Sequence, residues 1–510
     1  MRRTAVVAGV VTVLAPFLLT GASSASAATK GSLTVRTLDR SGRAVYAQVA
    51  VYNTKTLDFR YIESNKAASL PNGSYELATS FTDAQDDGAA VGGHSVKVSG
   101  ATKTTFDART GHQVKVALSP NPGSGYDHMV SAYVCAADNG PVYMGLSAES
   151  GHLYVIPTTD KAYELSYATT YEPRSATGGD FWLASATHRG GLPSGVSATI
   201  RKTGLTTLKV TARSGPDSGQ AQFSFDNQST GGDACPMFTN SIQLQRTLPD
   251  SFGVHLPPGQ WNVSQEGHDS ISNSYHAYAA GKTTTLNIGH AVWGPGGQLP
   301  YTWYHQLYFG SVNQFADPSL PYGGALAAGN LKLTHAGRTL YSRNYTSGND
   351  IGAQLRIPST GWYTLDETGR RSLPAGSLST SASLSLHFYA DTGKNQQIRD
   401  YITRFWPNSL NSRNQAPAGA TTTVVLGMQR NPTGDGTVGR LSDDVKSVHA
   451  WYTTDNGAHW HASPAKLSNG RWTVPVHNPP SGGRVGLRST VTDTHGDSST
   501  TTVYNAYAVR

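Results

Sequence analysis

Asp391-Thr392-Gly393, following the alternating run LSLHFYA, is the first place where residue types and spacing suggest chemistry. An aspartate in that setting is one part of a serine-protease triad, in which a base must reach the serine and be oriented by the acid. The partner motifs, His-Gly-Thr-His and Gly-Thr-Ser-Met, do not occur, and neither does the hydrolase elbow Gly-x-Ser-x-Gly. Asp391 also falls too late for an α/β catalytic domain to follow it. The expected role is a β-turn.

Other patterns fare similarly. Gly434-Asp435-Gly436-Thr437-Val438-Gly439 fits the dinucleotide fingerprint, but RLSDDVKSVHAWY follows it where a helix is required, so a loop is expected. His459 and His461 flank Trp460; on a strand they would share a face and could meet one metal, yet no third ligand is in view, and solvent-facing histidines are expected. Asp83-x-x-Asp86-Asp87-Gly88 has oxygen ligands for calcium but lacks the EF-hand spacing and its terminal Glu. No catalytic, cofactor-binding or metal-ligating residue is therefore assigned, and no cofactor is expected. The densest aromatic run is Tyr301 to Phe309. If exposed, Trp303, Tyr304 and Tyr308 offer faces on which sugar rings could stack; the alternative is a buried strand covered on both sides.

Composition bounds the setting of this chemistry. The chain has 510 residues, enough for three or four domains. Only 14% are charged, while Gly (55) and Tyr (25) are plentiful, which suits strands and turns facing the outside of a cell. The net charge of +7 is spread without a basic run, so no nucleic-acid footprint is present. Arg2-Arg3, the apolar stretch Val6 to Leu19 and Ala25-Ser26-Ala27 read as a signal peptide over residues 1–27, with the mature chain starting at Ala28. No later stretch is apolar enough to span a bilayer. A released, extracellular and monomeric protein is expected. In that compartment the two cysteines, Cys135 and Cys235, are expected to form a disulfide. The chain-entropy model values so long a loop at about 4–5 kcal/mol.

The elements that would position these residues are strands. Val448, Ala450 and Tyr452 alternate with polar residues, Asp455-Asn456-Gly457 turns the chain, and a second run starts at His459-Trp460. Runs at Trp472–Val476, Val485–Val491 and Thr500–Ala508 complete a small antiparallel sandwich. Upstream, Leu70-Pro71-Asn72-Gly73-Ser74-Tyr75 is echoed by Leu256-Pro257-Pro258-Gly259-Gln260-Trp261, and again, with one extra residue, by Ile357-Pro358-Ser359-Thr360-Gly361-Trp362-Tyr363. A Gly-x-Thr-like turn follows the first two, at Gly100 and Gly281. Pro fixes φ, Gly relaxes it, and the aromatic is expected to enter a core, so three related sandwiches are predicted. Linker-like composition places the boundaries at 28–119, 120–295, 296–413 and 414–510. The expected fold class is all-β: several tandem antiparallel β-sandwich domains, of a pattern that resembles prealbumin-like domains at the start and immunoglobulin- or fibronectin-like ones at the end.

Asp455, Gly457 and Trp460, then Val485-Gly486-Leu487-Arg488, Asp493 and Ala506-Tyr507, resemble the terminal module of large secreted actinobacterial subtilisin-like serine proteases. Arg404-Phe405-Trp406-Pro407, Asn414-Gln415-Ala416-Pro417-Ala418-Gly419 and Phe106-Asp107-Ala108-Arg109 resemble other segments of the same accessory region. Residues 29–118 resemble the carboxypeptidase regulatory domain, a stabilising sandwich. The resemblance implies an accessory tail without its protease: a secreted non-catalytic protein binding cell-wall polymer, carbohydrate or another exported protein. A hydrolase with a loop-built site and a structural spacer are the alternatives.

Overall fold

Strand Ser381–Ala390, SASLSLHFYA, shows why this sequence makes sheets: every second side chain is buried and the others face out. The same alternation recurs in Gly361–Arg370 and Thr206–Ala212. The computed structural model describes residues 30–510 except 84–87, 137–141, 176–178, 216–218, 228–240, 268–270, 298, 311, 319–327, 347–351, 374–375 and 431–443. Among the described residues the elements are strands, interrupted only by two short 3-10 turns, and the protein is all-β. The signal-like segment and Gly434–Gly439 lie outside the described residues.

The echoed motif marks one architecture used three times. In the first copy, strands Phe59–Glu63, Gln48–Asn53, Gly73–Thr82 and Ala89–Val98 lie side by side in that order, and Ala67–Pro71, Lys30–Leu38 and Ala101–Asp107 form a second sheet. The second copy repeats the order with Ser241–Leu248, Gly219–Asn227, Gly259–Gly267 and Ile271–Tyr278, plus Asp250–Leu256, Thr206–Ala212 and Thr283–Ile288. In both, the last strand runs parallel to the first. Gly100 and Gly281, each with φ +67, turn the chain into that last strand. The third copy keeps the four-stranded sheet (Arg338–Tyr345, Ala328–His335, Gly361–Arg370, Ser381–Ala390). Its facing sheet instead runs Ala353–Arg356, Gln306–Phe309, Tyr301–Trp303, Gln396–Gln397. Each sandwich closes on its own apolar cluster, containing Leu33, Val51 and Leu77 in the first, Val210, Phe223 and Phe252 in the second, and Leu307, Leu333 and Leu386 in the third.

The aromatic of each motif is a corner post. Tyr75 Oη donates to Pro71 O at 2.7 Å, Trp261 Nε1 to Pro257 O at 2.9 Å, and Tyr363 Oη to Ser359 O at 2.5 Å. All three rings are buried, and each polar tip reaches back four residues to a backbone carbonyl. The glycine two residues before the ring sets the register. The extra residue of the third copy therefore lies between Pro358 and Gly361, and Tyr363 rather than Trp362 takes the core position.

Three of the expected domain boundaries are crossed by sheets, the one at 295 by strand Gly294–Gly297, which pairs with Val312–Ala316. His112–Ser119, Leu153–Val155 and Val196–Arg201 extend the first sandwich's four-stranded sheet. The last sandwich joins the third through Ser381–Ala390 and Ser498–Val509, so one sheet spans residues on both sides of 413. Composition marks loops, whereas a sheet edge needs a partner wherever it comes from, and here the neighbouring unit supplies it. The predicted C-terminal hairpin is present: Ala450, Trp451 and Tyr452 pair with Ser463, Ala462 and His461, and Asn456 and Gly457 turn with positive φ. Asn414 ties the last sandwich to the chain before it. Its amide donates to Ser214 O and Gly289 O, both at 2.8 Å, and its Oδ1 accepts from Ala291 N at 3.1 Å.

Candidate ligand-binding surface

Tyr301–Trp303 and Gln306–Phe309 form a hairpin in which Trp303 faces Gln306, so Tyr304-His305 is a two-residue turn. The type I′ form of such a turn demands positive φ at both central positions and strongly prefers Asn-Gly. Here Tyr304 has φ 47° and His305 φ 63°. Left-handed backbone at bulky residues costs about 1–3 kcal/mol each and persists only where surroundings impose it. Those surroundings are the 391–397 segment. Tyr304 N donates to Asn395 Oδ1 at 2.8 Å, His305 Nδ1 lies 2.5 Å from Thr392 O, and Thr302 Oγ1 donates to Lys394 O at 2.7 Å. The turn holds Trp303 47% and Tyr304 71% exposed, their rings edge-to-face at 5.2 Å. Tyr308 is half-buried and stacks flat on Tyr301, with centroids 4.8 Å apart. The expected aromatic site thus divides: Trp303 and Tyr304 face solvent, and Tyr308 supports them from the adjoining ladder.

A second aromatic pair stands on the outward face of the opposed four-stranded sheet. Trp362 and Tyr389 are cross-strand neighbours, 39% and 45% exposed, with rings edge-to-face at 5.5 Å. Trp362 also stacks on His387 at 5.0 Å. Thr360 Oγ1 bonds to Thr392 Oγ1 at 2.9 Å and accepts from Thr392 N at 3.0 Å, which latches this wall to the segment. Asp391 does serve as a turn residue: its Oδ1 accepts from Gly393 N at 2.9 Å and its Oδ2 pairs with Lys394 Nζ at 3.2 Å. The Gly393 N–H, then Lys394, hold its carboxyl below the usual range. Sequence reading missed Trp362 and Tyr389. The available signal was Gly-Trp-Tyr within a strand, where adjacent aromatics must point to opposite faces.

The remaining motifs are placed as follows. Cys135 is disulfide-bonded on strand Tyr126–Ala136, and Cys235 lies outside the described residues. His459 precedes its strand, and its Nδ1 lies 2.6 Å from Asp455 Oδ2; His461 stands in the ladder opposite Tyr452. The two histidines therefore do not share a strand face. Asp86 and Asp87 lie outside the described residues. Among the described residues, no group of three His, Cys, Asp or Glu is arranged to hold a metal ion, and no helix is long and apolar enough to cross a membrane.

One further constellation has catalytic residue types. His255 Nε2 lies 3.1 Å from Asp180 Oδ2, and its Nδ1 lies 3.0 Å from Thr207 Oγ1. The imidazole stacks on Trp182 at 3.5 Å, and Lys202 Nζ lies 4.0 Å from the same indole. Burial holds His255 below its usual pKa; Asp180 acts against that shift and Lys202 with it. The group stands where Phe181 and Trp182 pair with Val254 and His255, the two-residue ladder joining the intervening unit to the second sandwich.

No family model matches this chain, and no curated protein matches it. Among solved structures it is similar to a streptococcal ancillary pilin, at 12% identity over 56% of this chain and 96% of that one, with a TM-score of 0.14. It is also similar to the FN1–FN3 domains of chicken CNTN1 (12% identity, 58% and 99% coverage, TM-score 0.13). A third similarity is to Escherichia coli alpha-2-macroglobulin activated by porcine elastase, at 9% identity, 94% of this chain and 53% of that one, with a TM-score of 0.15. The tandem β-sandwich architecture stands on the ladders described above.

Proposed function

We propose that this chain is an exported, non-catalytic multidomain β protein that binds neutral polysaccharide through the third sandwich. The observation that carries the reading is the Tyr304-His305 turn. A strained backbone held by Asn395 and Thr392 keeps Trp303 and Tyr304 in water, against the tendency of such side chains to be buried. Exposed flat rings stack on the C–H faces of pyranoses, and neighbouring amides and hydroxyls match sugar hydroxyls. Export is supported by the leader-like residues 1–27 and by the low charge. The test is native affinity electrophoresis through gels containing neutral plant, fungal or bacterial wall polysaccharides. Retardation by at least one polymer, reduced roughly tenfold by Trp303→Ala, is expected, since about 1.4 kcal/mol for one lost stacking face is tenfold in affinity. Unretarded migration in every polymer overturns the reading.

One observation favours a second reading, a hydrolase: the Asp180–His255–Thr207 line has the order of acid, base and hydroxyl. Casein and glycoside panels test it. Turnover that His255→Ala abolishes would replace the binding reading.

A further inference from the structure

Ladder register places further side chains beside Trp303. Leu307 and Leu355 face the apolar cluster of the third sandwich, so their strand neighbours point outward. On that outer face Trp303 stands opposite Gln306, and Gln306 opposite Arg356, the last residue of strand Ala353–Arg356. The adjoining row holds Tyr301, Tyr308 and Gln354 in the same order. Trp303 and Arg356 are therefore two strand spacings apart, about 10 Å, on one surface with an amide between them. Arg356 is exposed, and among the described residues no carboxylate, carbonyl or ring engages it. Neither row contains an acidic residue. Asp391, the one acid on the 391–397 segment that holds the turn, is paired with Lys394.

Resting on the polysaccharide reading above, we infer that Arg356 sets the specificity of this face, and that its preferred ligand is a glycan bearing carboxylates: a uronic acid stacked upon Trp303 or next to the sugar that is. Stacking holds a neutral chain as well, and Arg356 adds a position that such a chain leaves without its best partner. The guanidinium is planar and donor-only, so a carboxylate meets it with two parallel bonds that a hydroxyl does not reproduce. A uronic acid joins the anion directly to the ring whose C–H face stacks, so neighbouring units of one chain serve both groups. Gln306, with both donors and an acceptor, matches the hydroxyls between them. With no acid in either row, nothing in the two rows repels the anion. Because Arg356 stands in water, its contribution is modest and salt-sensitive.

Affinity electrophoresis through polymers of glucuronic, mannuronic and galacturonic acid, each run beside its carboxyl-reduced neutral form, tests this. At low salt at least one acidic polymer is expected to bind about fivefold more tightly than its reduced form, the upper end for an exposed ion pair. Roughly 0.5 M sodium chloride should erase that margin, since it screens exposed charges and leaves stacking in place. Arg356→Gln should bring the acidic polymer down to the level of its reduced form. Lys446→Gln removes the same charge from an exposed position of the last sandwich and should keep the margin, which separates a local contact from attraction to the net charge. Melting temperatures of both variants, read beside the unaltered chain, guard against unfolding. Equal binding within every acidic and reduced pair overturns the inference and leaves the polysaccharide reading standing. A margin that survives Arg356→Gln, or that falls as far with Lys446→Gln, overturns it too. Retardation by acidic polymers alone, lost in Arg356→Gln, upholds the role of Arg356 and overturns the neutral-chain reading. Failure of every polymer to bind defeats both.

Discussion

Asp400 is fully buried, and its environment dictates a measurable pH dependence. Its Oδ1 accepts from Tyr401 N at 2.8 Å, while its Oδ2 is buried without a hydrogen-bond partner. Asp493 and Asp497, also buried, add negative charge nearby. Burial first, then those two carboxylates, push the Asp400 acid well above its usual range, against the smaller opposing effect of the Tyr401 N–H. The folded protein therefore keeps a proton that the unfolded chain releases near pH ~3.9. For an acid whose folded pKa is raised, the stability so contributed is complete below the unfolded value and is lost as pH rises through the folded value. Over that window the loss approaches about 1.4 kcal/mol for each pH unit. Asp400→Asn keeps the shape and removes the titration. The variant should match the unaltered chain near pH ~4 and gain on it by about 1.4 kcal/mol per unit above, until the folded acid ionises. Urea unfolding across that range, followed by tryptophan fluorescence, reads the difference directly. Parallel stability curves for the two proteins at every pH would refute the claim that Asp400 is held as the neutral acid.

The corner posts make a graded series: Tyr75→Phe and Tyr363→Phe each remove one hydrogen bond and should cost about 1 kcal/mol, while Trp261→Ala also opens a cavity and should cost about 3–5 kcal/mol, all by denaturant titration. Replacing Tyr304-His305 by Asn-Gly relieves left-handed strain, so the melting temperature should rise while polysaccharide retardation falls; a rise with unchanged retardation would detach the strain from function. Non-reducing peptide mapping should recover Cys135 linked to Cys235, and Cys135→Ser should lower stability by about 2–5 kcal/mol.

What the sequence made legible was local. Asp455-Asn456-Gly457 announced its hairpin because turn chemistry is written in adjacent residues. The Pro…Gly-x-aromatic echo announced three related sandwiches for the same reason, and the structure adds the shared order of their four-stranded sheets and the backward hydrogen bond. Strand exchange between units was not legible, since Leu153–Val155 pairs with residues far upstream and nothing in three residues names a partner. Of the candidate surface, Trp303 and Tyr304 were visible as a cluster. Whether they were buried depended on the φ values of one turn and on Asn395, about ninety residues away in sequence. Trp362 was hidden by its neighbour Tyr363: the echo pointed to an aromatic, and only register told which ring entered the core.

The parallel pairing of first and last strands has a mechanical side. In the first two sandwiches the chain enters along Lys30–Leu38 or Thr206–Ala212 and leaves along Ala101–Asp107 or Thr283–Ile288, lying alongside and pointing the same way. A pull on the two ends of either unit loads the bonds between those strands lengthwise and together, rather than opening them one after another like a zip. Such a body resists stretching until the ladder between those two strands ruptures as a whole.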